Sequence, residues 1–259
     1  MFNKILCPVD FSDRSCGAAH AARALARRFG SEIVALHVAP SDTDPIKVAE
    51  AECNLSDVML HDLGGCVVSP CVVAGEPSAR ILQFADDERI DLVVMATHGL
   101  SPFRNFQLGS VTAKVLHGAR CPVWTSSHLE DWDQVESMPL RAILCALDFG
   151  PRSCAVLQWA SRFAREFGAK LTLGHIVAPG EADHLLESPE RTLQRQQEQL
   201  HVPTETRVLT GAPAPMLSEL AEEIAADLMI IGRTHASSPG LGANAYAIIA
   251  HSPCPVLSV

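Results

Sequence analysis

The residue spacing with the clearest chemical meaning is the segment Ala96-x2-Gly99-x9-Gly109-Ser110. Glycine lets a backbone approach phosphate oxygens closely, and a helix that opens at Gly109 presents free N–H groups and a positive dipole end to an anion. The Ser110 hydroxyl adds a donor, and Arg104, in the same loop, adds a positive charge. The spacing therefore predicts a phosphate site, with a ligand-free turn and helix start as the alternative.

Cysteine and histidine form two recurring pairs, Cys7 with His37 and Cys145 with His175, on segments that should be neighbouring strands. Either pair could belong to a metal site or contain a redox thiol. One Cys and one His in each half cannot complete the tetrahedral coordination of zinc, and a buried thiol behaves as a small hydrophobe. The structural interpretation is therefore favoured, and no metal is predicted.

No enzyme signature accompanies these residues. The sequence contains no G-x4-GK[ST] loop, no H-E-x-x-H pair and no G-x-S-x-G elbow. Hydrolysis of ATP requires a positioned water and stabilisation of charge, and the residue pattern identifies neither. Catalytic residues are therefore not predicted, and slow ATP hydrolysis is the most that the sequence allows.

The composition is that of a globular protein without membrane or nucleic-acid partners. Hydrophobic residues make up 47% of the 259, and the formal charge of −10 opposes binding to a phosphate backbone. The longest apolar runs are far shorter than the roughly 20 residues of a membrane-spanning helix. The first residues, MFNKILCPVD, do not have the pattern of a signal peptide, and nine scattered cysteines fit a reducing compartment. A cytoplasmic location is expected.

An internal repeat divides the chain into two halves. KILCPVDFSDRSC, from Lys4 to Cys16, matches RAILCALDFGPRSC, from Arg141 to Cys154, with identical residues 138 positions apart. A Cys-Pro-Val sequence closes each half, at residues 121–123 and 254–256. The repeat predicts two homologous domains of ordinary size. Their predicted bounds are 1–127 and 141–259, joined by a linker over 128–140.

Short runs rich in Val, Ile and Leu alternate with longer helical patterns, which is typical of βαβ units and a parallel sheet. The predicted strands of the first half are 4–9, 32–38, 66–73, 91–96 and 122–126, and those of the second are 142–147, 170–177, 203–210, 227–231 and 255–259. Ser12 is the predicted N-cap of a helix that ends at Gly30. Further helices are predicted over 76–87 and 109–117, so the fold class is α/β.

Several of these segments resemble universal stress protein domains: Lys4 to Asp10, the helix end Phe29-Gly30, Leu36 to Val38 and the closing Cys-Pro-Val. The resemblance covers nearly the whole chain. It implies two tandem Rossmann-like domains, each a five-stranded parallel sheet in the order 3-2-1-4-5 with helices on both faces. In such sheets ligands bind beyond the carboxyl ends of the strands, where the strand order reverses.

The resemblance also implies an adenine nucleotide: ATP, with or without magnesium, or AMP. The family's nucleotide-binding subset carries G-x2-G-x9-G-[ST], from which this chain departs at Ala96, whose methyl group either crowds the ligand or restricts the loop. Asp10 is expected near the ribose or magnesium, or else as a cap of the first helix. Val38 is expected to offer backbone groups to adenine, and His98 is either a further contact or a solvated loop residue. The implied site residues are Val9, Asp10, Val38, Ala96, His98, Gly99, Arg104, Gly109, Ser110 and Val111.

The second half keeps less of this motif. Gly232 is retained, but the segment SSPGLG that follows is three residues shorter than its counterpart. Counting back from Cys254 aligns Gly242 with Gly109 and places Ala243 where the first half has serine. The hydroxyl and the loop arginine are lost, so weak or no ATP binding is expected. The remaining candidate contacts are Asp148, for which structural capping is favoured, Val177 and Gly232.

Two hypotheses about function follow. In the first, the protein is a stress-response regulator or sensor in which ATP orders the 97–110 loop and changes a surface for a protein partner. In the second, both crevices are vestigial and the chain is a nucleotide-independent interaction or scaffold protein. An enzyme that uses adenine nucleotides, suggested by fold analogy alone, ranks last. The resemblance further implies that the strands at 122–126 and 255–259 pair at their edges as an intrachain pseudo-dimer, and a homodimer stays open.

Overall fold

The computed structural model describes residues 1–98, 108–126, 139–177, 188–233 and 242–259. The chain divides into two compact units, Met1–Met138 and Pro139–Val259. Most of the predicted linker, residues 128–138, lies outside the described residues, as do the predicted site residues Gly99 and Arg104.

The first unit contains five strands that pair in parallel in the order β3-β2-β1-β4-β5. Its elements are β1 Lys4–Pro8, α1 Asp13–Phe29, β2 Glu32–Ala39, α2 Pro45–His61, β3 Val67–Ala74, α3 Pro77–Asp87, β4 Leu92–Ala96, α4 Ser110–Gly118 and β5 Val123–Ser126. The predicted strand order is confirmed. Burial between helices explains why the central strands β1 and β4 are nearly continuous apolar runs, whereas the residues of the edge strand β3 are half-buried or exposed.

The second unit repeats this plan, with parallel strands in the order β8-β7-β6-β9-β10. Its elements are β6 Ala142–Ala146, α5 Ser153–Phe167, β7 Lys170–Val177, α6 Pro189–Glu198, β8 Thr204–Thr210, α7 Pro213–Glu223, β9 Leu228–Ile231, α8 Ala243–His251 and β10 Val256–Ser258. Counted from its own first strand, this order is again 3-2-1-4-5. The α/β fold class predicted for both halves is confirmed.

Helices cover both faces of each sheet. Right-handed crossovers put α1 and α2 on one face of the first sheet and α3 and α4 on the other. Helix α1 begins where the Ser12 hydroxyl accepts a hydrogen bond from the Ser15 N–H at 3.2 Å, and it ends at Gly30, whose φ of 67° is left-handed. Both predicted ends of this helix are confirmed. No helix among the described residues is long and apolar enough to cross a membrane.

The central strands are held both by burial and by two repeated carboxylates. Asp91 accepts backbone N–H hydrogen bonds at 2.7 and 3.0 Å at the start of β1, and Asp227 does the same at 2.6 and 2.9 Å at the start of β6. These bonds fix where each first strand enters its sheet. The middle residues of β1 and β6 are fully buried: Ile5, Leu6, Cys7, Ile143, Leu144 and Cys145.

Two helices, α2 and α6, were not predicted from the sequence. Each begins with proline in its first turn after a residue whose side chain caps the helix, Asp44 for α2 and Ser188 for α6. Proline suits the first turn because the N–H that it lacks has no partner within the helix. The pairs Asp44-Pro45 and Ser188-Pro189 were therefore the available signals.

Candidate functional site

The carboxyl ends of β1 and β4 lie side by side at the centre of the first sheet, where the two strands are parallel neighbours, and this is the position of the predicted crevice. From here the chain passes from β1 to β2 on one side and from β4 to β5 on the other, so the strand order reverses. Asp10 follows β1, Ala96 ends β4, and Val38 lies one residue before the end of the adjacent β2. Doubly wound sheets bind ligands at this position.

Two hydrogen bonds tie the end of β4 to the start of α4. The Gly109 N–H donates to the Thr97 carbonyl at 2.8 Å, and the Thr112 hydroxyl donates to the Ala96 carbonyl at 2.9 Å. Thr112 and Thr97 are both buried, so water does not compete for these bonds. The start of α4 is therefore fixed at the crevice.

The first turn of α4 has backbone N–H groups that no residue in the described part of the chain bonds. Gly109 is the N-cap, with φ −57° and ψ 146°, and no side chain of the described residues caps the helix. The first hydrogen bond within the helix joins the Ala113 N–H to the Gly109 carbonyl at 2.9 Å, so the N–H groups of Ser110, Val111 and Thr112 have no partner inside it. Together with the helix dipole, these donors favour an anion.

Asp10 contacts the loop that leads into α1. Its carboxylate accepts hydrogen bonds from the Ser12 N–H at 3.1 Å and from the Ser12 hydroxyl at 2.5 Å. Because the same Ser12 oxygen caps α1, Asp10 orients the cap, which is the structural alternative raised from the sequence. The carboxylate nevertheless lies directly after β1, so its place also suits a ligand role.

The remaining predicted residues lie at or just after the ends of β1, β2 and β4. Val9 is buried, and its N–H donates to the Leu36 carbonyl at 2.8 Å. Val38 is half-buried near the end of β2. His98 is buried, with Nδ1 2.9 Å from the Thr97 hydroxyl. The alternative that His98 is a solvated loop residue is therefore wrong.

Both histidines of the recurring Cys and His pairs bond to backbone. Nδ1 of His37 lies 2.8 Å from the Val9 carbonyl, and Nδ1 of His175 lies 2.7 Å from the Leu147 carbonyl. Among the residues that the structure describes, no three His, Cys, Asp or Glu side chains are grouped to hold a metal ion. These contacts explain the two histidines without a ligand to a metal.

Three thiols, on β1, α1 and β6, are held protonated. Burial raises the pKa of Cys7 to about 12 and also raises the pKa of Cys145. Burial and the Asp62 carboxylate, which is hydrogen-bonded to the thiol, raise the pKa of Cys16 to about 11. Since the thiolate is the nucleophile, none of these three is a reactive cysteine at neutral pH. Cys53 and Cys154, in contrast, are exposed.

We expect alkylation with iodoacetamide to follow this order. At pH 7.5, Cys53 and Cys154 are modified first because they are exposed, while Cys7 and Cys145 react only after unfolding. The rate of labelling of Cys16 should rise about tenfold for each pH unit up to its pKa, because the fraction of thiolate rises by the same factor. Peptide mass spectrometry after timed labelling gives each rate. Modification of Cys16 as fast as Cys53 at pH 7.5 would contradict the hydrogen bond to Asp62.

A match to a protein-family model shows the family of this chain. The model of the universal stress protein family matches the chain twice, over residues 1–126 and 139–259. The chain belongs to the universal stress protein family. It carries two such domains in tandem, one in each unit.

Individual relatives agree with this assignment. The chain is 31% identical to Universal stress protein MJ0531 of Methanocaldococcus jannaschii over 139 residues, which cover 48% of this chain and 81% of that protein. The crystal structure of a universal stress protein from Archaeoglobus fulgidus DSM 4304 is similar in fold, with a TM-score of 0.76 and 22% identity, over 99% of this chain and 97% of that one. Another solved universal stress protein, a complex with cAMP, is 20% identical over 48% of this chain and 97% of its own, with a TM-score of 0.38.

The second universal stress protein domain keeps the shape of the helix start but not its fixing bond. Gly242 is the N-cap of α8 with φ −57° and ψ 148°, nearly the same angles as Gly109. Ala245 stands where the first domain has Thr112, so no hydroxyl is present to bond to the preceding strand. A methyl group built on Gly232, which aligns with Ala96, would lie 3.1 Å from Val156, so an alanine at this position would require Val156 to shift.

The remaining candidate contacts of the second domain also have structural partners. The Asp148 carboxylate accepts hydrogen bonds from the Gly150 N–H at 2.8 Å and from the Ser153 hydroxyl, at the start of α5, at 3.2 Å. Val177 is buried, and its carbonyl accepts a hydrogen bond from the Gly211 N–H at 3.0 Å.

The position of Val177 differs from that of Val38. The Ala39 carbonyl accepts from the Gly75 N–H at 2.9 Å, which is the bond that Val177 makes in the second domain, so Val177 corresponds to Ala39. Ile176 is the counterpart of Val38. Ile176 is buried, whereas Val38 is half-buried, so the end of β7 is less accessible than the end of β2.

Sequence reasoning missed two residues of the first site, Thr112 and Phe11. Phe11 has a left-handed φ of 62°, and its ring lies 4.4 Å from the His37 ring between centroids. Its signal was the repeat, because Phe149 recurs after Asp148. Thr112 had no such signal, since the second half has alanine there. Its role depends on a contact between elements that spacing along the chain does not reveal.

Proposed function

We propose that the first domain binds an adenine nucleotide in the crevice between β1 and β4, and that the nucleotide regulates the protein in a stress response. The observation that carries the proposal is the uncapped start of α4, which two hydrogen bonds fix at the end of β4. Backbone N–H groups so held bind phosphate without moving. Pre-organised donors bind more tightly because little ordering remains to be done.

The parts of the nucleotide follow from the same geometry. The phosphates lie at the first turn of α4, the ribose or a magnesium ion lies at the Asp10 carboxylate, and adenine lies beside Val38 at the end of β2. Carboxylate oxygen is the ligand type that magnesium prefers. ATP, with or without magnesium, and AMP share the adenosine and first phosphate that this arrangement would hold. Gly99 and Arg104, which lie outside the described residues, are proposed to complete the phosphate contacts.

A cytoplasmic location and a protein partner are part of the same proposal. None of the nine cysteines, all of which the structure describes, forms a disulfide, as is usual in a reducing compartment. The formal charge of −10 disfavours nucleic acid as the partner. Ligand binding near the 97–110 loop is proposed to change the surface that a protein partner contacts. Most of this loop, residues 99–107, lies outside the described residues.

The second domain supports a second candidate function, that of a nucleotide-independent interaction protein. The buried end of β7 and the loss of the Thr112 hydroxyl both oppose a nucleotide there. If the first domain binds no nucleotide either, the chain is a scaffold. Both candidate functions predict no nucleotide in the second domain, so nucleotide binding by the first domain distinguishes between them.

Calorimetric titration of nucleotide-stripped protein with ATP and magnesium, and separately with AMP, tests the proposal. We expect saturable binding with one nucleotide per chain, since only the first domain keeps the site. Binding of two nucleotides per chain would show that the second domain also binds. Absence of heat and of any thermal stabilisation with either nucleotide would favour the scaffold function.

A further inference from the structure

A histidine on β2 clamps the loop that follows β1. Nδ1 of His37 lies 2.8 Å from the Val9 carbonyl, and its ring lies 4.4 Å from the Phe11 ring at an angle of 33°. A carbonyl only accepts, so Nδ1 carries the proton and donates. The Val9 N–H in turn donates to the Leu36 carbonyl at 2.8 Å. Leu36 and His37, two consecutive residues of β2, therefore bond the N–H and the carbonyl of Val9.

The same clamp recurs in the second domain. Nδ1 of His175 lies 2.7 Å from the Leu147 carbonyl, and the ring stacks on Phe149 at 4.0 Å and 24°. Both phenylalanines have left-handed φ angles, 62° for Phe11 and 55° for Phe149. Such angles are unfavourable for an aromatic residue and persist only where the surroundings enforce them. The histidine is the aromatic surface against which each strained residue packs.

Asp10 lies between the two residues that this clamp holds. We propose that His37 is a positioning residue that fixes the Asp10 carboxylate at the crevice by holding Val9 through Nδ1 and Phe11 through its ring. This inference rests on the proposed nucleotide site, in which Asp10 contacts the ribose or magnesium. The clamp in the second domain holds Asp148 in the same way, but there no nucleotide is expected.

Three substitutions separate the two parts of the clamp. His37→Phe keeps an aromatic ring beside Phe11 but removes the donor to Val9. His37→Asn keeps an N–H donor close to the position of Nδ1, whereas His37→Gln places its amide one carbon farther away. The matched control is His175→Phe, which removes the same bond in the domain where no nucleotide is expected.

Calorimetric titration with ATP and magnesium gives the first readout. We expect His37→Gln, which lacks both the ring and a donor in place, to weaken binding about tenfold, and His37→Phe and His37→Asn, which each keep one part of the clamp, to weaken it less. His175→Phe should bind like wild type. Wild-type affinity in both His37→Phe and His37→Gln would overturn the positioning role although the nucleotide site stands. A wild-type protein that binds no nucleotide would instead remove the proposed function.

Hydrogen exchange of the ligand-free protein gives a second readout that does not depend on nucleotide. We expect the peptide that contains Val9 to Ser12 to exchange about tenfold faster in His37→Phe and His37→Gln than in wild type, with protection only partly restored in His37→Asn, which lacks the ring beside Phe11. His175→Phe should accelerate exchange of residues 147–150 only. Unchanged exchange of Val9 to Ser12 in His37→Phe and His37→Gln would overturn the clamp itself.

Discussion

A Gly109→Asp protein is expected to bind ATP at least about 100-fold more weakly than wild type, which corresponds to about 2.7 kcal/mol. The substitution places a carboxylate at the N-cap of α4, where the phosphates are proposed to lie, and like charges in contact cost several kcal/mol. The fold should tolerate the change. A Cβ at this position would lie 3.4 Å from the Thr97 carbonyl, and a φ of −57° suits any residue.

The melting temperature of the ligand-free Gly109→Asp protein shows whether lost binding comes from the phosphate site or from lost stability. Aspartate is a slightly better N-cap than glycine, so the ligand-free variant should melt at the wild-type temperature or slightly above it. Gly242→Asp is the matched control, because its backbone angles are nearly the same and it lies in the second domain. It should leave ATP affinity unchanged. Full affinity in Gly109→Asp, measured by calorimetry, would contradict a phosphate site at α4.

The second large effect is expected in stability. Phe163 on α5 is fully buried and stacks with Phe167 at 5.9 Å between ring centroids. Phe163→Ala should lower the free energy of unfolding of the second domain by about 3–5 kcal/mol, because a cavity replaces the ring. Phe167→Ala, at a half-buried position, should cost less. Thermal unfolding measured by calorimetry gives both values.

Addition of ATP should restore stability to a destabilised first domain but not to a destabilised second domain. Leu25 on α1 is the repeat counterpart of Phe163 and is also fully buried, so Leu25→Ala destabilises the first domain. Because a ligand stabilises only the domain that binds it, saturating ATP should recover stability in Leu25→Ala but not in Phe163→Ala. Recovery in Phe163→Ala, or in neither protein, would contradict a site confined to the first domain.

The sequence predicted the elements that the repeat and apolar runs mark. Both strand orders, the Ser12 cap and the Gly30 end are confirmed. The helices α2 and α6 were not predicted, although each begins with an N-cap residue followed by proline. Proline and an N-cap together were more informative than periodicity for these surface helices.

The candidate site was less predictable, because its contacts join residues that are distant in sequence. The burial of His98, the bond from Thr112 to Ala96 and the bond from His37 to Val9 all depend on how strands and helices pack. The counterpart of Val38 is Ile176 rather than Val177, which the 138-residue offset of the repeat already indicates and the pairing of strands confirms. Spacing along the chain indicates which residues can contribute, and packing determines which of them meet.

The most direct test of the proposed nucleotide site is to locate the adenine by photolabelling with 8-azido-ATP. Labelled peptides would be identified by mass spectrometry, with excess ATP as competitor. We expect label that ATP prevents in the first domain, in the peptide that spans the end of β2 and contains Val38. Label that ATP prevents between Pro139 and Val259, or label in the first domain that ATP does not reduce, would contradict it.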